Sequence, residues 1–109
     1  MKVSHIHLGF KNLSSAVQWM QQVLQMDPFY QNDHMAAFAF ENIEYVFDLS
    51  DSETAATMAF ACDDCEKKFK ELASRGAVAI ESPEEQPWGV KTAYLQGPGK
   101  VIIELEQKV

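Results

Sequence analysis

Apolar and polar positions alternate with period two near both ends of this chain, and recur at helical spacing twice between them. In the run WGVKTAYLQGPGKVIIELEQ, Val101, Ile103 and Leu105 fall on one face of a final strand, and Ile102, Glu104 and Glu106 on the other. Gly97, Pro98 and Gly99 put a tight turn before it, because Pro fixes φ and Gly accepts positive φ. The same alternation over residues 3–10 sets Ile6, Leu8 and Phe10 against Val3, His5, His7 and Gly9. Asn12 or Ser14 then caps a helix reaching about Leu24, with Leu13, Val17, Met20 and Leu24 as its stripe and Ala16 beside it. Pro28 breaks that pattern. Three short strands are expected at 29–31, 35–40 and 44–49, with turns at Asn32-Asp33 and Glu41-Asn42.

Residues 50–54 are polar and form the joint to a second half. There the pattern predicts a strand over 56–62, then a helix capped by Asp63 with Glu66 as its capping-box partner. That helix carries Cys65, Phe69 and Leu72 on one stripe and stops at Gly76. A strand over 77–80 and a loop over 81–87, holding two prolines and three glutamates, lead to the closing hairpin.

The order of elements repeats, so the halves can be superposed by register. A shift of 52 residues sets Leu8 on Phe60, Phe10 on Cys62, Leu13 on Cys65, Val17 on Phe69 and Met20 on Leu72. By the last strand a shift of 56 sets Phe47 on Ile103 and Leu49 on Leu105, a four-residue insertion. The fold class is therefore α+β: two βαβββ modules, residues 1–50 and 55–109, in one domain spanning 1–109. The same register sets His5 on Thr57 and Asp48 on Glu104. With the helices covering the Leu8 and Phe60 faces, these four residues are left on the opposite, concave side.

Composition narrows the partners. A net charge of −7 argues against nucleic acid and anionic membranes. No apolar run approaches the ~20 residues that span a bilayer. The opening MKVSHIHLGF has no signal-peptide pattern, and a cytoplasmic protein is the economical inference. The 47% hydrophobic content supports a core without staples. Cys62 and Cys65 form a CxxC, but Cys62 ends an apolar strand and Cys65 takes a core-facing helix position. Two cysteines alone complete no zinc site, so the pair reads as structural.

Taken together, HIHLGFKNLSSAVQWMQQVLQM, MAFACDD and YLQGPGKVIIELEQ resemble the vicinal-oxygen-chelate superfamily: glyoxalase I, bleomycin-resistance proteins and extradiol dioxygenases. Asn12-Leu13 stands for the family's D-L turn, Trp19-Met20 for its helix aromatic pair, and Val23-Leu24-Gln25-Met26 for its V-L-G-M close. The resemblance covers essentially the whole chain. It implies strands wrapped into an incomplete barrel around a cleft, and a homodimer, which exposed strand edges also favour. It implies metal ligands on the first and last strand of each module, which here are His5, Asp48, Thr57 and Glu104. Thr57 departs from that set, because metal-dependent members commonly carry a second histidine there.

Two functions stay open, and with them whether the chain is an enzyme. In the first, the chain binds a small molecule in the cleft without a complete catalytic metal site. His7, Phe38, Asp48, Trp88 and Tyr94 would line the ligand, and Glu44, Asp48, Glu104 and Glu106 would favour a flat cation. In the second, His5, Asp48 and Glu104 hold Zn²⁺, Ni²⁺ or Mn²⁺, and the chain is an isomerase, epimerase or lyase with Glu104 as its catalytic carboxylate. Thr57 tips the reading to the first. Fold alone decides neither.

Overall fold

The computed structural model describes all residues, Met1–Val109. It divides into two compact units, Met1–Thr54 and Ala55–Val109. The first runs β1 (His5–Phe10), α1 (Leu13–Trp19), β2 (Tyr30–Gln31), β3 (Met35–Ala39) and β4 (Glu44–Leu49); the second runs β5 (Ala56–Ala61), α2 (Cys65–Ser74), β6 (Ala79–Gln86), β7 (Val90–Gln96) and β8 (Val101–Lys108). Each is a βαβββ module with one open, mixed four-stranded sheet, ordered β1-β4-β3-β2 and β5-β8-β7-β6. In both, the first strand pairs in parallel with the last, and the other pairs are antiparallel.

The alternation in the sequence selects the buried face. Leu8, Phe10 and Phe47 are buried on one side of the first sheet with Leu13, Ala16 and Val17 of α1. Phe47 lies between Phe10 and Phe38, with ring centroids 4.6 Å and 4.9 Å away. In β8, Val101, Ile103 and Leu105 are buried, whereas Ile102, Glu104 and Glu106 are half-buried. Asn12 caps α1 by accepting from the Ser15 amide at 3.0 Å. After Trp19 the chain widens into a π-helical segment, Met20–Leu24. It ends at Gln25, in the left-handed region with φ 55°, and the Gln25 and Met26 amides both donate to the Met20 carbonyl.

Four sequence expectations are corrected. The cap of α2 is Asp64 rather than Asp63: its carboxylate accepts from the Lys67 amide at 3.0 Å, and Gln107 of β8 accepts from the Cys65 amide at 2.9 Å. Residues 81–86 are not loop. They extend β6, and the ladder to β7 absorbs them with register shifts between Ala79 and Glu81 and between Glu81 and Glu84. Pro83 falls inside the second shift, and β6 is an edge strand, where a residue without an amide is tolerated. Conversely, 77–78 lie outside the strand, which starts at Ala79.

The last correction concerns the repeat. Leu8 lies beside Phe47, and its counterpart Phe60 lies beside Leu105. Phe47 therefore corresponds to Leu105, not Ile103, and the shift grows from 52 to 58, by six residues. The closing hairpins agree, since the Phe40 amide donates to the Ile43 carbonyl and the Gly97 amide to that of Val101. Because the error is two residues, no strand changes face.

Candidate functional site

Opposite the α1 side, the first sheet presents His5, His7 and Gly9 from β1, alongside Glu44, Val46 and Asp48 from β4. The second sheet presents Thr57, Ala59 and Ala61 from β5 alongside Ile102, Glu104 and Glu106 from β8. These are the polar positions that the alternation assigned to the concave side.

Within the first module, His7 and not His5 meets Asp48. His7 Nδ1 lies 2.6 Å from Asp48 Oδ2. A carboxylate only accepts, so the imidazole proton sits on Nδ1. Gly9 is the residue directly opposite Asp48, which makes His7 its diagonal neighbour on the same face. His5 Nδ1 is engaged differently, with the Ser4 hydroxyl at 2.7 Å. The two imidazoles stand edge to face, centroids 5.0 Å apart and planes 66° apart. Both are solvent-exposed. An exposed polar contact of this kind contributes only about 1 kcal/mol or less, so stability gives this pair little reason to exist.

The turn after β4 closes one end of this face. A side chain at Gly9 would point into it, and a β-carbon there would lie 2.7 Å from the Ser52 carbonyl. The Gly9 amide donates to the Thr54 hydroxyl at 2.7 Å, and the Thr54 amide donates back to the Gly9 carbonyl. The sequence marked residues 50–54 only as the joint between the halves, and it gave neither Ser4 nor this turn a place at the site. The run of hydroxyls at Ser50, Ser52 and Thr54 was the available signal.

In the second module, Glu104 is flanked in register by Ala59 and Tyr94. Tyr94 and Glu104 are therefore cross-strand neighbours on one face, and both are half-buried. Thr57 is exposed, opposite Ile102. Trp88 lies in the β6–β7 turn and is 70% exposed. Phe38 does not join the predicted face. It is fully buried against Phe47, because β3 turns Ala37 rather than Phe38 to the His7 side.

The corrected register also separates the carboxylates. Asp48 corresponds to Glu106, and the counterpart of Glu104 is Val46. Asp48 thus lies one same-face step, about 7 Å, further along its strand than a true equivalent of Glu104 would. One Asp48 oxygen is held by His7, and Thr57 offers only a hydroxyl. Nowhere do three His, Cys, Asp or Glu side chains gather as a metal centre requires. Of the residues that the resemblance implies as ligands, His5 and Asp48 lie on the helix-free face of the first module, and Thr57 and Glu104 on that of the second.

Two open hollows of the first module lie beyond its polar face. One, of about 760 Å³, is lined by Lys11, Leu49, Ser50 and Asp51; another, of about 330 Å³, lies between Asn12 and Asn32. Neither contains a histidine or an aromatic ring, and the His7–Asp48 face is the better candidate.

The CxxC is structural. Both thiols are free, Cys65 is fully buried, and its Sγ lies 3.9 Å from the Leu105 carbonyl. Burial pushes the Cys65 thiol up to about 11, with Cys62 adding to the rise, and burial raises Cys62 as well. A nucleophilic thiol needs the opposite shift.

A two-module sheet protein of this topology, with polar side chains on the helix-free faces, defines the class. Residues 2–105 match the family model for the Glyoxalase/Bleomycin resistance protein/Dioxygenase superfamily, and the chain belongs to that superfamily. Among solved structures it is similar to a glyoxalase/bleomycin resistance protein/dioxygenase from Nocardioides, with TM-score 0.86 and 14% identity over 100% of this chain and 84% of that one. It is also similar to a glyoxalase-related enzyme from Fulvimarina pelagi, with TM-score 0.82 and 15% identity over 99% and 88%. A family enzyme from Burkholderia phytofirmans PsJN matches with TM-score 0.83 and 14% identity over 100% of both chains. At such identities these likenesses establish the fold alone. No curated protein matches the sequence. No helix is long and apolar enough to cross a membrane.

Proposed function

We propose that this chain is a glyoxalase/bleomycin-resistance-like binding protein that takes a small, flat, cationic molecule on a helix-free sheet face, without a complete catalytic metal site. The observation that carries the reading is the Tyr94–Glu104 pair. A half-buried aromatic ring and a half-buried carboxylate are direct cross-strand neighbours, with Glu106 two residues on. A ring offers a flat cation a π face, and a carboxylate offers it a charge-assisted hydrogen bond. Trp88, exposed nearby in sequence at the head of β7, is a second candidate wall. The proposal includes a homodimer in the cytoplasm.

The test is a thermal-shift screen of matched cationic and anionic aromatic compounds, followed by titration of the best hit. A charge-assisted hydrogen bond contributes roughly 1.5–3 kcal/mol, so Glu104→Gln should weaken a cationic hit by about tenfold or more. Hits that are mainly anionic, or affinities that ignore the substitution, would overturn the reading.

A second reading is favoured by one observation: both His5 and His7 have Nδ1 engaged, the habit of histidines that coordinate through Nε2. Bound metal would supply Lewis-acid stabilisation of an oxyanion. Elemental analysis of untagged protein decides this. Stoichiometric Zn, Ni or Mn would replace the binding-protein reading with that of a metal-dependent isomerase, epimerase or lyase.

A further inference from the structure

Two nucleophilic side chains take no part in the reading above. Cys62 and Cys65 are both free, and their thiols hydrogen-bond to each other. We infer that this pair is a modification site: it exchanges with small disulfides of the glutathione class and closes a disulfide across the joint between β5 and α2. The inference depends on neither the cationic ligand nor a metal.

Contacts to β8 hold the two sulfurs together. Cys62 directly follows β5, and its amide donates to the Glu106 carbonyl at 2.8 Å. Cys65 opens α2. Its amide donates to the Gln107 side-chain oxygen at 2.9 Å, and its Sγ lies 3.9 Å from the Leu105 carbonyl. Between them Asp64 fixes the turn by accepting from the Lys67 amide. A backbone pinned on both sides gives each sulfur a high effective concentration at the other, which is what a dithiol needs to close. Cys62 is half-buried and Cys65 fully buried, so a small disulfide reaches Cys62 first.

The Cys62 thiolate attacks one sulfur of the small disulfide and expels one small thiolate. The Cys65 thiolate then attacks the Cys62 sulfur of the mixed disulfide and expels the other half. Two cysteine thiols and one small disulfide thus become one protein disulfide and two small thiols. Two electrons pass to the small disulfide, and the two cysteine protons end on the expelled thiols. Burial sets the pace: it disfavours both thiolates, so exchange at neutral pH is slow, and in the reduced chain the pair is structural. It does not oppose the equilibrium. A readily reduced disulfide needs a reduced form stabilised as thiolate, and this fold provides none. The anchors fall at 105–107, so closure is felt on β8 beside Glu106.

The experiment incubates the full, folded chain with oxidised glutathione, quenches with acid and reads intact and peptide masses. Wild type should slowly lose two hydrogens and yield a peptide cross-linked between Cys62 and Cys65, reopened by dithiothreitol. Cys65→Ser should stop at one glutathione on Cys62, and Cys62→Ser should stay unmodified over the same period. Backbone spectra check that each variant is folded; Cys65→Ala serves in place of a serine variant that is not. At equilibrium in mixed glutathione buffers, the folded chain should be half-oxidised at a several-fold lower share of oxidised glutathione than the same chain in urea. A wild type that stays reduced or stops at the mixed disulfide would overturn the inference. So would Cys62→Ser modified as fast as Cys65→Ser, or a folded chain no easier to oxidise than the unfolded one. None of these outcomes bears on the cationic screen against Glu104, so the two failures are distinguishable.

Discussion

A β-carbon on Gly9 would stand 2.7 Å from the carbonyl oxygen of Ser52, and 3.1 Å from the β-carbon of Ser50. The obstacle is backbone, which cannot swing away as a side chain can. Gly9 is therefore where the turn after β4 folds down over the polar face, sealed by the exchange of hydrogen bonds with Thr54. Gly9→Ala should cost about 1–3 kcal/mol, the usual range for overpacking. Urea unfolding would register this as a lower midpoint at unchanged slope. A midpoint that does not move would mean that the turn shifts freely and does not brace the face.

Gln25 is the sole non-glycine residue with positive φ, at 55°. An L side chain in the left-handed region costs roughly 1–2 kcal/mol, and glycine avoids it at some expense in chain entropy. The balance favours Gln25→Gly by about 0.5–1 kcal/mol, or roughly 3–6 °C in melting temperature. Gln25→Ala, which keeps the β-carbon, should bring no such gain. A glycine variant that melts at or below the wild type would contradict the assignment of strain to this position.

Much of the fold could be read from side-chain period, because alternation and helical stripes report directly on which face is buried. Leu8, Phe10, Ile103 and Leu105 are buried as read. What the pattern could not supply was the pairing of parallel strands. The connections from β1 to β4 and from β5 to β8 differ in length, and no local signal says which residues end up side by side. The proposed match of Asp48 to Glu104 failed for that reason, by two residues. Phe38 was misplaced for another. In β3, MAAFA, small residues occupy both faces, so parity alone did not choose; the larger ring went into the core. The His7–Asp48 contact is a diagonal across the β1–β4 ladder and so depended on the register that was missing.

The helix caps separate neighbouring residues that composition treats alike. Asp64 accepts from the Lys67 amide and Asn12 from the Ser15 amide, whereas Asp63 lies outside the cap. Asp64→Ala and Asn12→Ala should each lower stability by about 1 kcal/mol. Asp63→Ala should change it little. Equal losses at 63 and 64 in denaturant titrations would show that charge near the helix start matters, and not the hydrogen bond.

The buried thiol gives a pH dependence with a definite sign. Cys65 is held up to about 11 in the folded chain, because burial disfavours the thiolate. In the unfolded chain it returns to the ordinary thiol value near 8.5. Between those values the folded state binds the extra proton. The stability linked to this group is thus fully present below the unfolded value and is lost as pH rises towards the folded one. Alkylation follows the same logic, since only the thiolate reacts. Iodoacetamide at neutral pH should label Cys65 slowly in the native protein and readily once denaturant opens the core, with Cys62, less buried, labelled ahead of it. Mass spectrometry of peptides after timed quenching reads both rates. Rapid native labelling of Cys65 at neutral pH would overturn this account, and with it the structural assignment of the CxxC.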